Sequence, residues 1–169
     1  MIRLLLADCR AVLATLPAES VQCVVTSPPY WGLRDYGVDG QLGLEPTPEL
    51  YVQHLAFDPV RQRTMPRGTR VRTPTRNSRT VWTIPTRPYA KAHFATFPPA
   101  LVEPCLLAGS RPGDTVLDPF AGAGTVGLVA ERLGRDAVLI ELNPVYAEMA
   151  RRRITEEAPL LVKLAGDTT

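Results

Sequence analysis

Apolar positions in this chain come in short, dense runs separated by turn-forming residues, the pattern of strands buried on both faces. Arg3–Ala7 is the first run, entering Asp8, and Val21–Val25 is the second. Thr115-Val116-Leu117 and Ala137-Val138-Leu139-Ile140 are the next two, the last ending in Glu141. Between them the spacing changes to the helical period. Val12, Leu13 and Leu16 predict a helix over Cys9–Leu16 that stops at Pro17. Pro48–Phe57 reads as a short helix with Glu49 in its first turn. Leu101, Val102, Cys105 and Leu106 predict a helix over Phe97–Gly109, with prolines in its first turn. Helix-forming residues run from Leu128 to Leu133, and Asn143-Pro144 is a cap and first position for a last helix reaching about Ile154. Gly32–Thr47 is loop, residues 158–169 read as a loose tail, and only Thr80–Ile84 suggests a strand within residues 59–92. Four strands, each followed by a helix or loop, predict an open, mainly parallel α/β sheet.

Two strand ends carry unusual turns. Asp118-Pro119 stops the third strand, because proline cannot donate to a sheet ladder. Gly122, Gly124 and Gly127 follow in Gly-x-Gly-x-x-Gly spacing and lead into a helix. Strand, glycine turn and helix make a cofactor-binding turn, since glycine lets the backbone approach a ligand and a helix N-terminus presents free N–H groups. Glu141 lies at the usual distance for a carboxylate that grips ribose hydroxyls. Taken alone, the glycine spacing also suits a nicotinamide or flavin dinucleotide. Asp118, however, would face a pyrophosphate with like charge, whereas it could accept from a ligand ammonium. The second unusual turn is Thr26-Ser27-Pro28-Pro29-Tyr30-Trp31, where two consecutive prolines stiffen the loop after the second strand. Both turns fall at strand carboxyl ends, where open parallel sheets bind ligands.

The 169 residues suit one domain, and 45% hydrophobic with 21% charged residues is an ordinary globular balance. No apolar run reaches membrane-spanning length, and Asp8 and Arg10 interrupt the N-terminal one too soon for a signal peptide. Cys9, Cys23 and Cys105 lack metal or redox spacing and read as buried thiols in a reducing cytoplasm, with no metal expected. The net charge of +2 hides an asymmetry. Arg61, Arg63, Arg67, Arg70, Arg72, Arg76, Arg79, Arg87 and Lys91 fall between Pro59 and Val102 without a single acid. The remainder carries ten basic residues against seventeen acids, a net of −7. A basic tract interleaved with Trp82 and Tyr89 points to a nucleic-acid backbone rather than to a merely solvated face.

TSPPYW (26–31) and DPFAGAGT (118–125) together, with HFATFP (93–98) between them, resemble the S-adenosylmethionine-dependent DNA methyltransferases that modify exocyclic amino groups. The motif order is that of the permuted β class, and the match covers about Arg3–Glu49 and Arg79–Arg153. The resemblance implies a Rossmann-like, circularly permuted and abbreviated methyltransferase sheet, S-adenosylmethionine as cofactor, and DNA as partner. It also assigns roles. Ser27 and the Pro28 carbonyl would accept from the target amino group, with Pro29 stiffening the turn and Tyr30 stacking on a base flipped from the duplex. Asp118 corresponds to the acid near the methionine amino group, Glu141 to the ribose ligand and Asp8 to the acid near the adenine. Phe94 and Thr96 fall in the segment covering the methionine moiety, and Phe120, Gly122, Gly124 and Thr125 in the glycine turn. Serine in the first motif position is commoner among cytosine-N(4) enzymes, while adenine-N(6) enzymes usually carry Asp or Asn. Cytosine is therefore favoured. Carbon-5 methylation would need a nucleophilic cysteine, and Pro104-Cys105 sits in a predicted amphipathic helix.

The middle departs from the family. Residues 1–57 form a catalytic-motif half and 93–157 a cofactor half, but the basic segment 58–92 stands where further strands and a sequence-reading region belong. By resemblance, the strand before TSPPYW lies beside the strand before DPFAGAGT. It is expected to be an uncovered edge, open to a second copy or a partner subunit. Three rivals stay open at this point. One is a remnant that binds cofactor or DNA without turnover, and one is a dinucleotide oxidoreductase. The third, a methyltransferase acting on protein or RNA through Asn-Pro-Pro-Tyr, would place that motif after the glycine loop.

Overall fold

The computed structural model describes residues 1–55, 82–85, 96 and 98–157. Four strands, β1 (Ile2–Leu6), β2 (Cys23–Val24), β3 (Thr115–Asp118) and β4 (Asp136–Glu141), form one sheet in the order β1-β4-β3-β2. Every neighbouring pair is parallel, with Ile2 opposite Ala137, Val116 opposite Ala137 and Cys23 opposite Val116. The expected placement of β2 beside β3 is thus found. Among the described residues β2 has β3 as its one partner, and Val24 is exposed.

Alternation along β3 and β4 sends side chains to two separate cores, as a sheet covered on both faces requires. Val116, Ala137 and Leu139 join Ile2 on one face, under α3 (Pro99–Gly109), α4 (Thr125–Arg132) and α5 (Pro144–Glu157). Leu117, Val138 and Ile140 point to the other face, under α1 (Cys9–Leu13) and Leu16. Gly127 sets the distance between α4 and the sheet. A Cβ there would lie 2.5 Å from Leu139 Cδ1 and 3.1 Å from Ile154 Cδ1.

Several expectations are corrected. Cys9–Leu13 is helical, and the three residues after it form turns rather than more helix, just ahead of Pro17. On α3 the buried residues are Val102 and Leu106, whereas Leu101 is exposed and Cys105 half-buried. Of the three thiols only Cys9 is buried. Trp82–Pro85 forms no strand, and within this stretch no ladder partner compensates for the terminal proline. Residue 57, the tail 158–169 and the basic residues Arg61 to Lys91 lie outside the described residues. No helix among the described residues is long and apolar enough to cross a membrane.

Candidate active site

The carboxyl ends of β1, β2, β3 and β4 open into one cleft of about 130 Å³. Parallel strands with helices on both faces leave this end free of crossovers, so the loops after the strands form its walls. Asp8 and Cys9 contribute from the end of β1, Ser27, Pro28, Pro29 and Tyr30 from β2, Pro119 to Ala123 from β3, and Glu141 to Asn143 from β4. Thr96 and Thr125 also line it. Phe94 and the arginines at 61, 63, 67, 70, 72, 76 and 79 lie outside the described residues.

Asp118, one residue before the cleft-lining Pro119 and not itself part of the lining, is the most constrained group at this end of the sheet. It is fully buried at the end of β3. The Thr26 hydroxyl donates to its Oδ1 at 2.7 Å and the Phe120 N–H at 3.1 Å, while Oδ2 is buried with no partner among the described residues. Burial pushes its carboxyl up to about 7, the neighbouring Glu141 adds to the rise, and the Thr26 and Phe120 hydrogen bonds oppose it. The Thr26 bond spans the two unusual turns and joins them physically.

Glu141 lies across the glycine turn. Its Oε2 accepts from the Gly122 N–H at 2.8 Å and its Oε1 from the Asn143 N–H at 2.9 Å. Burial raises its carboxyl, and the backbone bonds from Asn143, Gly122 and Leu142 oppose that rise. Gly122 takes φ +51°, which an L side chain rarely adopts. Gly124, at φ +73°, stands behind the cleft instead. A Cβ there would lie 3.0 Å from Ala150 Cβ, so this glycine serves the packing of α5 against the turn. The buried Arg153 of α5 also holds the turn from behind, its Nη1 donating to the Ala123 carbonyl at 3.3 Å and to Thr125 Oγ1 at 3.0 Å. Asp8 caps α1 by accepting from the Arg10 N–H, and pairs with the Arg10 guanidinium at 2.6 Å. That guanidinium holds the Asp8 carboxyl below its ordinary value.

Sequence reasoning missed one wall. The loop 32–47 folds back over the cleft, placing Tyr36, Val38, Gly40, Gln41 and Leu42 along it. Gln41 fixes that loop by accepting from the Tyr36 N–H at 2.7 Å and donating to the Arg34 carbonyl at 3.2 Å. The Asn143 amide donates to the Tyr36 carbonyl at 3.1 Å, and Tyr36 meets Tyr146 edge-on at 6.0 Å between ring centroids. An aromatic wall beside the Glu141 carboxylate suits a flat heterocycle. The one sequence signal was the tyrosine and glutamine content of a loop otherwise read as glycine- and proline-rich.

Among the described residues no group of three or more His, Cys, Asp or Glu side chains could hold a metal ion. The cleft is instead lined by acids and aromatic or small residues.

Comparison with known proteins shows the family of the chain. A family model described as DNA methylase, of the N6/N4 type, matches residues 56–152. The type II methyltransferase M.Cfr9I of Citrobacter freundii is 30% identical over 269 aligned residues, which cover 94% of this chain and 89% of that protein. M.SmaI of Serratia marcescens is also 30% identical, with 90% of each chain covered. Among solved structures, TTHA0409 from Thermus thermophilus, complexed with S-adenosyl-L-methionine, superposes with a TM-score of 0.62 at 27% identity. That superposition covers 95% of this chain and 98% of the other. With a family match over more than half of its length and relatives aligned nearly end to end, this chain belongs to the N6/N4 DNA methylase family.

Proposed function

We propose that this protein transfers a methyl group from S-adenosylmethionine to the exocyclic amino group of a DNA base, with cytosine N4 favoured over adenine N6. The observation that carries the reading is the Thr26–Asp118 hydrogen bond of 2.7 Å, which binds the Ser-Pro-Pro-Tyr turn and the glycine turn into one cleft.

The cleft's donor set fits this cofactor. Asp118, buried one residue before the lining residue Pro119, has a carboxylate oxygen with no partner among the described residues, the complement of an ammonium. Glu141 lies beside Gly122 with acceptor lone pairs for vicinal hydroxyls. Asp118 and Glu141 together oppose a pyrophosphate, which argues against a dinucleotide. S-adenosylmethionine supplies a sulfonium-bound methyl group as the electrophile. Ser27 and the Pro28 carbonyl accept hydrogen bonds from the target amino group, drawing its lone pair out of the ring and aiming it across the cleft. Tyr30 lines the cleft while 56% exposed, so its ring face is available to a base turned out of the duplex. Catalysis of this kind is positioning in a polar cradle, and no proton-transfer residue is required to start it.

The finer architecture belongs to the same proposal. The catalytic turn precedes the glycine turn in the chain, which is the permuted β-class order. The Citrobacter alignment runs over 269 residues against a chain of 169, so at least 100 positions of the relative have no counterpart here. This supports a shortened target half at residues 58–92, with Arg61, Arg63, Arg67, Arg70, Arg72, Arg76 and Arg79 meeting the DNA backbone. A second copy or a partner subunit beside β2 would then complete the site. Serine at position 27 supports cytosine. Mass spectrometry of nucleosides from DNA incubated with methyl-labelled cofactor tests the reading. Label in N4-methylcytosine supports it, label in N6-methyladenine moves the target to adenine, and label in neither nucleoside overturns it.

A further inference from the structure

The Ser-Pro-Pro-Tyr turn is gripped from outside the cleft by the segment Gly43–His54. Thr47 starts this grip. Its Oγ1 accepts from the Leu50 N–H at 3.3 Å and its carbonyl from the Tyr51 N–H at 3.2 Å, fixing the start of α2 (Pro48–Leu55) shortly after Glu45. Residues 51 and 54 then share one helix face. From that face the Tyr51 hydroxyl donates to the Pro29 carbonyl, and His54 Nδ1 sits 3.1 Å from Glu45 Oε1. Glu45 Oε2 accepts from the Gly43 N–H at 2.8 Å, and the Glu45 carbonyl accepts from the Trp31 indole N–H at 2.8 Å. The Gly43 carbonyl accepts from the Gly32 N–H at 2.8 Å, and a Cβ on Gly43, at φ +102°, would stand 2.9 Å from the Tyr30 carbonyl oxygen. Four consecutive residues, Pro29 to Gly32, therefore each meet this segment.

The Glu45 side chain is only 6% exposed, an expensive place for a charge unless its oxygens are occupied. Both are. Burial raises its carboxyl, but its own backbone, His54 and Gly43 outweigh that and hold it below the ordinary value. Neither Glu45, Tyr51 nor His54 lines the cleft, so whatever they contribute to it passes through the turn they hold.

We propose that Glu45, Tyr51 and His54 are positioning residues that clamp the Pro28–Tyr30 turn at the distance methyl transfer requires. The inference rests on the function proposed above. Tyr51 occupies the Pro29 carbonyl, leaving the Pro28 carbonyl as the one presented to substrate, and a displacement of about 1 Å in such a turn can cost on the order of 100-fold in rate. The test uses the full chain with Tyr51→Phe, Glu45→Gln and Glu45→Ala, a single-stranded oligonucleotide and labelled S-adenosylmethionine. Cofactor affinity is measured by calorimetry, and exchange of the Trp31 indole N–H by NMR, with Trp82→Phe used for assignment.

The expected result for Tyr51→Phe is a single-turnover rate at least tenfold lower, cofactor affinity within twofold of the parent, and faster Trp31 indole exchange. Glu45→Gln, which keeps an acceptor toward Gly43, should retain more rate than Glu45→Ala. Parent-like rate and exchange in Tyr51→Phe would overturn the clamp. So would cofactor affinity falling in step with rate, which marks general loosening, or a rate loss with unchanged exchange. If the parent chain transfers no methyl group at all, the proposed function fails. The exchange measurement still decides the clamp, since unchanged Trp31 exchange refutes it and accelerated exchange at unchanged Tm supports it.

Discussion

Asp118→Asn should make the protein more stable at pH 8 and no more stable at pH 5. In the folded protein the Asp118 carboxyl is pushed up to about 7 from an ordinary 3.8. Between those two values the folded state keeps a proton that the unfolded chain has released, so stability falls as pH rises through this window. Above about pH 7 the whole cost of the buried charge is present, about 4 kcal/mol as an upper limit at 1.36 kcal/mol per pH unit. Asparagine keeps an acceptor for the Thr26 hydroxyl and the Phe120 N–H but puts an amide where Oδ2 is unpartnered, returning about 1–3 kcal/mol of that gain. The net is a stabilisation of about 1–3 kcal/mol at pH 8. At pH 5 only about 1.6 kcal/mol of that cost is present, at 1.36 kcal/mol per pH unit above 3.8, and the amide offsets it, leaving the variant level or slightly weaker. Urea unfolding at both pH values reads this directly. The cofactor side moves the other way, because loss of the charge proposed to meet the cofactor's ammonium should weaken S-adenosylmethionine binding at pH 8 by roughly 1.5–3 kcal/mol. A variant destabilised equally at both pH values would refute the buried-charge reasoning.

Glu141→Ala removes the charged acceptor proposed for the two ribose hydroxyls and should cost about 1.5–3 kcal/mol of cofactor binding in calorimetry. Gly127→Ala pushes a methyl group against Leu139 and Ile154, both fully buried, and should lower stability by about 1–3 kcal/mol in chemical unfolding. DNA binding should be weak, largely independent of sequence and steeply salt-dependent. Neutralising Arg67, Arg70 and Arg72 together should flatten the salt slope by about three phosphate contacts if all three meet the backbone.

What the sequence made legible was whatever depends on neighbours along the chain. Apolar runs at Val116–Leu117 and Ala137–Ile140 announced strands buried on both faces, and the observed sheet divides these residues between two cores. Asn143 was readable as a cap, and its Oδ1 does accept from the Val145 N–H at 2.9 Å. Contacts made across the chain were out of reach. Thr26 bonds Asp118 at a separation of 92 residues and Asn143 bonds Tyr36 at 107, and nothing local to either residue marks its partner. Gly124 shows the complementary limit. Motif spacing places it with the ligand turn, but the neighbour it accommodates is Ala150 on a later helix. Pro85 follows directly on residues 80–84, whose apolar look suggested pairing, and residues 82–85 form no strand.

The most direct measurement is methyl transfer by the isolated chain to single- and double-stranded DNA of the same sequence, with Tyr30→Ala alongside. Ser27, Pro28 and Tyr30, the proposed cradle, line the cleft together, whereas the target half is proposed to be shortened. Transfer should therefore be slow, faster on the single strand, where unstacking is already done, and abolished by Tyr30→Ala. Brisk, sequence-specific methylation of duplex DNA by a monomer, or transfer that survives Tyr30→Ala unchanged, would contradict the account.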